Sequence, residues 1–469
     1  MWWRLLNLQK NKLEIRNPAS GEFVASYDVL PESEVFRVVR KSRDAFETKW
    51  SRLSLSERAN YFKGLAKEIR AKKSECAKTM ALEMGKPVTQ GEAEVEKCAW
   101  SAELYSENAE TWLADVTVAT DARSSHVHYE PLGVVLSIMP WNFPLLQVFR
   151  STIPTLVAGN TVVLRHSNTC PGTALAIQEI FDNAGFPLHV FTAVITDHQT
   201  VTRLIELEDI SGIAFTGSVS AGQKIASQAG MNLKKIVLEL GGSDPFIVLE
   251  DADLDKAAEA GAVARLLNCG QNCIAGKRFL VQDTVSKEFS EKLLREFERK
   301  KIGDPMDPSV YVGPMVNETA LQEVDEQTKD SVKSGARVRM GASRLDVPGS
   351  FYKPTILDKV NKDMRVMREE VFGPVAPVCE VSDKAEAISV ANESEFGLGA
   401  SVWTSKKENA DSLANELKCG MVFVNSQQKS DPRLPFGGMK KSGIGREFSK
   451  YGLMEFVNVK SINLYGDIN

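Results

Sequence analysis

A chain of 469 residues exceeds one ordinary domain and points to two or three folded units. With 43% apolar and 25% charged residues it has the balance of a globular protein, which excludes wholesale disorder. The net charge of −5, both signs interspersed, gives no footprint for nucleic acid or an anionic membrane; seven scattered cysteines without a Cys-x-x-Cys pair read as reduced thiols of a cytoplasmic protein.

Taken in order, the start Met1-Trp2-Trp3-Arg4-Leu5-Leu6 is too short and too quickly charged for a secretory signal. Residues up to Tyr27 predict a short strand pair about the turn Asn17-Pro18-Ala19-Ser20-Gly21. Residues 31–114 read as predominantly helical, with a capping box at Ser54-Leu55-Ser56-Glu57. Residues 116–130 alternate as a hairpin suited to subunit pairing. Leu132 to Phe149 carries no charge, yet Pro140, Asn142 and Pro144 would break a membrane helix; a buried strand followed by a loop is expected. Strands predicted at Val134–Ile138, Thr161–Leu164, Val190–Val194, Gly212–Phe215 and Lys235–Leu238 alternate with helices such as Gly172–Asn183 and Ala221–Ala229. A second β/α series runs from Pro245 to about Phe423. Two α/β domains with parallel sheets follow. There is no internal repeat, and the five histidines form no cluster with cysteine, so no metal site is expected.

Four segments carry chemistry. Cys273, in Gly270-Gln271-Asn272-Cys273, sits in a glycine-containing loop that can offer backbone amides to an oxyanion. A thiol adds reversibly to an aldehyde at neutral pH because a fraction is thiolate. Glu239 ends the apolar strand Ile236-Val237-Leu238, at the carboxyl edge where open α/β folds bind ligands, and partial burial would raise its pKa toward that of a general base. Asn142, in Pro140-Trp141-Asn142-Phe143-Pro144, has an amide in need of an acceptor, which a developing oxyanion supplies. In Phe215-Thr216-Gly217-Ser218, Gly217 lets a ligand approach the backbone and Ser218 can cap a helix whose N-terminus favours a pyrophosphate. Each segment alone has a bland reading: a buried apolar thiol, a salt-bridging Glu, a turn Asn, an ordinary cap.

In this order and spacing, including the 34-residue step from Glu239 to Cys273, the segments resemble the aldehyde dehydrogenase superfamily from Asn17-Pro18 to Lys440-Lys441-Ser442-Gly443-Ile444-Gly445-Arg446-Glu447. The resemblance implies an α/β fold with three parts. A Rossmann-like cofactor domain would take residues 1–117 and 132–240, an α/β catalytic domain residues 241–443, and a β-flap oligomerisation element residues 118–131 and 444–469. A homodimer or homotetramer is implied. It also implies roles: Cys273 as nucleophile, Glu239 as base and Asn142 as oxyanion donor. Trp141, Gly217 and Ser218 would lie on the adenosine and pyrophosphate side of NAD(P), with Glu370 and Phe372 at the nicotinamide ribose and ring.

Two departures bear on specificity. Where the family usually has Lys before the adenine ribose, this chain has Arg165. Where NAD-preferring members have Glu three residues later, it has Asn168. A cation kept and an anion lost imply that NADP is accepted as well as NAD. Arg150, eight residues after Asn142, stands where many relatives carry an aromatic, and is expected to pair with a substrate carboxylate; Ser430 and Arg433 are candidate second anchors. The segments Leu238–Leu249 and Ser430–Arg433 look like bacterial succinic semialdehyde dehydrogenases, although those enzymes carry Arg six residues before the nucleophile and this chain has Leu267. The competing readings are a general aliphatic or aromatic aldehyde dehydrogenase, a CoA-acylating relative, disfavoured because Glu239 is retained, and a non-catalytic member. Cys269 raises one more possibility, a redox lock with Cys273.

Overall fold

The computed structural model describes residues 12–466; the start Met1–Leu6 considered above lies outside them. Strands β1 (Lys12–Arg16) and β2 (Phe23–Asp28) pair antiparallel about the expected turn. Four helices follow: α1 (Glu32–Thr48), α2 (Leu55–Ala71), α3 (Lys73–Met84) and α4 (Val88–Trp112). The capping box at the start of α2 forms, Ser54 Oγ accepting from the Glu57 amide at 3.2 Å while the Glu57 carboxylate accepts from the Ser54 amide at 2.7 Å. In α4 the buried positions Val95, Cys98, Ala99, Ala102, Tyr105 and Ala109 recur at helical spacing and form one stripe.

The first large sheet has six strands: β5 (Val134–Met139), β6 (Thr161–His166), β7 (Phe191–Val194), β8 (Ile210–Thr216), β9 (Lys235–Glu239) and β17 (Gly443–Ile444). Their order is β17-β9-β8-β5-β6-β7, all parallel except β17. The second has seven: β10 (Asp244–Val248), β11 (Gly276–Gln282), β12 (Arg337–Met340), β13 (Thr355–Val360), β14 (Val375–Val381), β15 (Gly399–Trp403) and β16 (Met421–Val424). Their order is β12-β13-β14-β11-β10-β15-β16, parallel except β12. Strands such as β5, β6 and β10 are buried at every position, which is why they read as continuous apolar runs. Each sheet has its own core.

Three points depart from the sequence reading. The segment after β5 is a loop only to Leu145; α5 (Leu146–Val157) then begins, and all twelve of its residues are buried. A helix covered on every side shows no apolar period, and Pro144 and Pro154 hid it further. Val116–Thr117 (β3) pairs with β4 (Ser124–Pro131) and so lies in the three-stranded flap, order β18-β4-β3, rather than with the first sheet. Residues 443–456 sit against the first sheet, through β17 and through Phe448, Leu453 and Phe456 in its core; only β18 (Val457–Leu464) reaches the flap. Among the described residues, no helix is long and apolar enough to cross a membrane.

Candidate active site

Loops at the carboxyl ends of β5, β8 and β9 face the second domain across a cleft of about 510 Å³, within the range of cofactor sites. Seven residues singled out from the sequence line it: Trp141, Asn142, Gly217, Ser218, Cys273, Glu370 and Phe372.

The loop that presents Cys273 follows α9 (Leu254–Leu266) and is wound left-handed at three successive residues, Asn268 (φ 55°), Cys269 (φ 56°) and Gly270 (φ 72°). Such backbone costs about 1–3 kcal/mol per non-glycine residue and persists only where neighbours over-determine it. They do. The Asn268 amide donates to Gln90 Oε1 (2.9 Å), Asn268 Nδ2 donates to Asn142 O (2.7 Å) and Gln271 O (3.1 Å), and Gln271 Oε1 accepts from the Val316 amide (2.8 Å). At Gly270 a Cβ would lie 2.3 Å from the carbonyl oxygen of Gly373. Asn142 Nδ2 makes only a long bond, 3.3 Å, to Gln271 O, so this donor can be redirected to a reacting oxygen.

Burial pushes the Cys273 thiol up to about 12; Arg150 and Lys277 oppose this, Glu239 and Glu370 add to it. Burial thus works against the partial thiolate expected from the sequence. Glu239 ends β9 with both carboxylate oxygens buried and without a hydrogen-bond partner in the protein. Its pKa stands well above the ordinary carboxylate value because of burial, with Arg150 the largest opposing influence and Glu447 a further raising one. Its neighbours Thr216 on β8 and Leu240 both line the cleft.

Ser218 caps α8 (Val219–Met231), its Oγ accepting from the Ala221 amide at 3.4 Å, so the N-terminus of a 13-residue helix opens on the cleft. Phe372 meets Trp141 edge to face, centroids 5.7 Å apart. Glu370 accepts from the Gly242 amide at 3.1 Å and from Lys277 Nζ at 2.8 Å. Arg165, at the end of β6, donates to Asn168 Oδ1 (2.7 Å) and Thr196 O (3.4 Å). Its Nε is buried without a partner, and among the described residues it has no carboxylate within ion-pair distance. A buried guanidinium with a spare donor, beside an amide where a carboxylate would repel a phosphate, fits a phosphorylated adenosine ribose.

Arg150 does not meet the expectation of a substrate anchor. It is buried, paired through Nε with Glu447, and its guanidinium lies 4.0 Å from the Phe436 ring centroid. Glu447 takes its Nε, one terminal guanidinium nitrogen is buried without a partner, and Arg150 is absent from the cleft lining. Arg433 is bound bidentately to Asp431 at 2.9 and 2.6 Å, and Ser430 accepts from Lys97; neither lines the cleft. Cys269 packs in the second core against Met315, 3.8 Å sulfur to sulfur, whereas Cys273 packs on the first core. Its left-handed backbone turns Cys269 away, and the redox lock gains no support.

Residues the sequence reading passed over hold this geometry. Lys277 on β11 donates to Gly242 O (2.6 Å), Cys273 O (2.7 Å) and Glu370, tying nucleophile loop to cleft wall. Two charged residues, Lys277 and Arg278, in a strand that continues as Phe279-Leu280-Val281 were the available signal. Glu94 on α4 accepts from the Leu145 and Leu146 amides at 2.9 Å each and pairs with buried Lys86, whose ammonium lies 3.9 Å from the Phe143 ring centroid. The loop carrying Asn142 is thus clamped just after the amide.

The Aldehyde dehydrogenase family profile matches residues 6–462. This chain belongs to the aldehyde dehydrogenase family. It is 43% identical over 446 residues to a probable succinate-semialdehyde dehydrogenase [NADP(+)] of Synechocystis sp., covering 95% of this chain and 98% of that one. It is 39% identical over 449 residues to the succinate-semialdehyde dehydrogenase [NADP(+)] of Mycobacterium avium, covering 95% of each. Among solved structures, the succinic semialdehyde dehydrogenase of Streptococcus pyogenes in complex with NADP+ superposes with a TM-score of 0.94 at 36% identity, over 97% of this chain and all of that one.

Two outcomes follow for this aldehyde dehydrogenase. Alkylation of Cys273 by iodoacetamide, followed on its own peptide by mass spectrometry, is expected to accelerate about tenfold per pH unit from 7 to 9 without a plateau; levelling off near neutrality would show a thiolate at rest. Arg150→Met is expected to lower kcat alike for succinic semialdehyde and butanal, and to move the rising limb of the kcat–pH profile to higher pH, since the cation that lowers Glu239 is gone. A loss confined to succinic semialdehyde would restore Arg150 as a carboxylate anchor.

Proposed function

We propose that this enzyme oxidises an aldehyde bearing a distal carboxylate, of the succinic semialdehyde type, to its acid, with NADP as electron acceptor and NAD also accepted. The observation that carries the reading is the single cleft joining Cys273 and the Asn142 amide to a helix N-terminus, with Glu239 one residue from its wall. The substrate class rests on the relatives, whose names specify succinate semialdehyde and NADP(+).

In this proposal Glu239 acts in its ionised form, its own proton having passed to solvent, and takes the proton of Cys273 as Sγ bonds to the carbonyl carbon. Asn142 Nδ2 and the Cys273 amide receive the oxygen as it gains charge; one such donor is worth about 2.7–4 kcal/mol of barrier. A bound nicotinamide would supply the hydride acceptor; with the hydride gone, the carbon held on Cys273 Sγ is a thioester. Glu239, its proton returned to solvent, then takes a proton from water. The hydroxide adds to the thioester carbon, the carbon–sulfur bond breaks, and acid and thiol are released. A carboxylate raised by burial exchanges its proton nearer neutrality than an ordinary one, which suits a base used twice. Release to water rather than to CoA follows from the presence of Glu239.

Ser218 and Gly217 would hold the pyrophosphate at the start of α8, Trp141 would flank the adenosine side, and Glu370 and Phe372 would hold the nicotinamide ribose and ring. Arg165 and Asn168 would receive the 2′-phosphate. Subunits would associate through the flap, where β18 is an edge strand with Val459, Leu464 and Tyr465 exposed, giving a cytoplasmic homodimer or homotetramer.

Steady-state kinetics of ω-carboxy, aliphatic and aromatic aldehydes with each cofactor test the reading. The expected result is the highest kcat/KM for succinic semialdehyde with NADP; a preference for NAD beyond about tenfold, roughly 1.4 kcal/mol, would overturn the cofactor assignment. Asn168→Glu is expected to cut kcat/KM with NADP by about tenfold or more, since it sets a carboxylate against a phosphate, and to leave the NAD value within about twofold.

A further inference from the structure

The peptide unit that joins Pro144 to Leu145 is held at both ends. Its N–H donates to Glu94 Oε1 at 2.9 Å, and its carbonyl oxygen accepts from His166 Nε2 at 2.8 Å. Because a peptide is planar, a donor on its oxygen and an acceptor on its N–H together fix its orientation. Pro144 has a restricted φ and no N–H of its own, so the carbonyl is the handle by which the residue is gripped. Asn142 stands two residues earlier, its own carbonyl taken by Asn268 Nδ2 at 2.7 Å. Three elements thus hold the loop: α4 through Glu94, the nucleophile loop through Asn268, and strand β6 through His166.

The partners of His166 define its protonation state. Nδ1 lies 2.7 Å from the Ser167 amide nitrogen, which also donates to Met139 O at 2.9 Å. An amide N–H can only donate, so Nδ1 accepts and the proton sits on Nε2, toward Pro144 O. Burial favours the same neutral ring and brings the imidazole down to about 4; the bond to Pro144 O opposes this and the neighbouring Arg165 guanidinium adds to it. His166 pairs across the sheet with Met139, the last residue of β5, where the segment leading to Asn142 begins. It also lies between Arg165 and Asn168, the residues proposed to receive the 2′-phosphate. The ring itself does not line the cleft.

We infer that His166 is a positioning residue for the oxyanion donor, acting through the Pro144–Leu145 peptide to set the Asn142 amide against Cys273. This rests on the proposed role of Asn142. The side-chain amide of Asn142 has only its long bond to Gln271 O, at 3.3 Å, so its aim depends on where the backbone puts it. A misplacement of about 1 Å at a reacting centre can cost about a hundredfold in rate, which makes the fixing of this backbone a matter of turnover rather than of folding alone.

The test compares His166→Leu, His166→Asn and His166→Gln with wild type at saturating NADP and succinic semialdehyde, each checked for an unchanged melting temperature. Leu offers no donor. Asn keeps an acceptor for the Ser167 amide but falls short of Pro144, whereas Gln carries an amide nitrogen at the reach of the imidazole Nε2. In the Leu and Asn variants kcat is expected to fall about tenfold, with the KM for the aldehyde and the Kd for 2′,5′-ADP, measured by calorimetry, within about twofold of wild type. The Gln variant should recover to within about threefold of the wild-type kcat. In an Asn142→Ala background, His166→Asn should cost less than about twofold further, since the donor it positions is gone. Wild-type kcat in the Leu and Asn variants, a Gln variant no better than Asn, or an equal loss with and without Asn142 overturns the inference. Should Leu and Asn not fold, nitrogen-15 spectra of wild-type enzyme labelled at histidine decide, with the His166 signals identified by their loss in His166→Gln. A neutral ring protonated at Nε2 is expected at pH 7, and an imidazolium or a ring protonated at Nδ1 overturns the inference. An Asn142→Ala enzyme with wild-type kcat would instead remove the oxyanion reading on which the inference stands.

Discussion

Two side chains cross-brace the segments that must meet a carbonyl. Asn268 Nδ2, from the nucleophile loop, donates to Asn142 O, and Asn142 Nδ2 donates back to Gln271 O. The first bond is 2.7 Å and the second 3.3 Å. The short bond fixes the position of the Asn142 backbone, while the long one leaves its side-chain amide ready to exchange a weak acceptor for a charged one. Everything else in the site follows from this register between the two sheets. The left-handed turn at Asn268 and Cys269 is tolerated because these bonds, with those of Gln90 and Gln271, offset its strain.

The electrostatics work through exclusion of water. Burial penalises the charged forms of both the Glu239 carboxyl, which has no hydrogen bonds in the protein, and the Cys273 thiol, and the carboxylate raises the thiol further. Against this stands Arg150, the largest opposing influence on both groups. Its ion pair with Glu447 weakens it as a counter-charge to Glu239, because Glu447 raises the same carboxylate. Desolvation wins. The pair tempers the rise that burial imposes on Glu239.

What could be read from the sequence was local or periodic. The β/α alternation, the capping box at Ser54, the flap hairpin and the strand ending in Glu239 each depend on residues a few positions apart, and all appear in the structure. The cleft residues were legible only as a constellation in the family's order. What stayed hidden depends on contacts between distant segments. Arg150 and Glu447 are 297 residues apart, so the anion that claims the guanidinium was invisible from the residues around it. Cys269 lies four residues from Cys273, yet a left-handed backbone sends the two thiols to different cores. Lys277 stands beside Arg278 in a buried strand, and its partners, two backbone carbonyls and the distant Glu370, are ones no periodicity points to.

The C-terminal segment runs from the first sheet to the flap. β17 pairs with β9 through Gly443 opposite Glu239, and a Cβ at Gly443 would lie 2.0 Å from the carbonyl oxygen of Leu238, so the segment closes directly over the strand that bears the base. Glu447, the partner of Arg150, comes four residues later, and Phe448, Leu453 and Phe456 complete the first core before β18 extends along the flap. The dry environment that raises Glu239 is therefore built partly by the same stretch that ends in the edge strand of the flap. An interaction that held β18 in place would also hold Gly437 and Gly443 against the base's carboxylate and strand. Coupling of this kind needs no conformational signal: a segment anchored at both ends cannot leave the active site while its far end is paired.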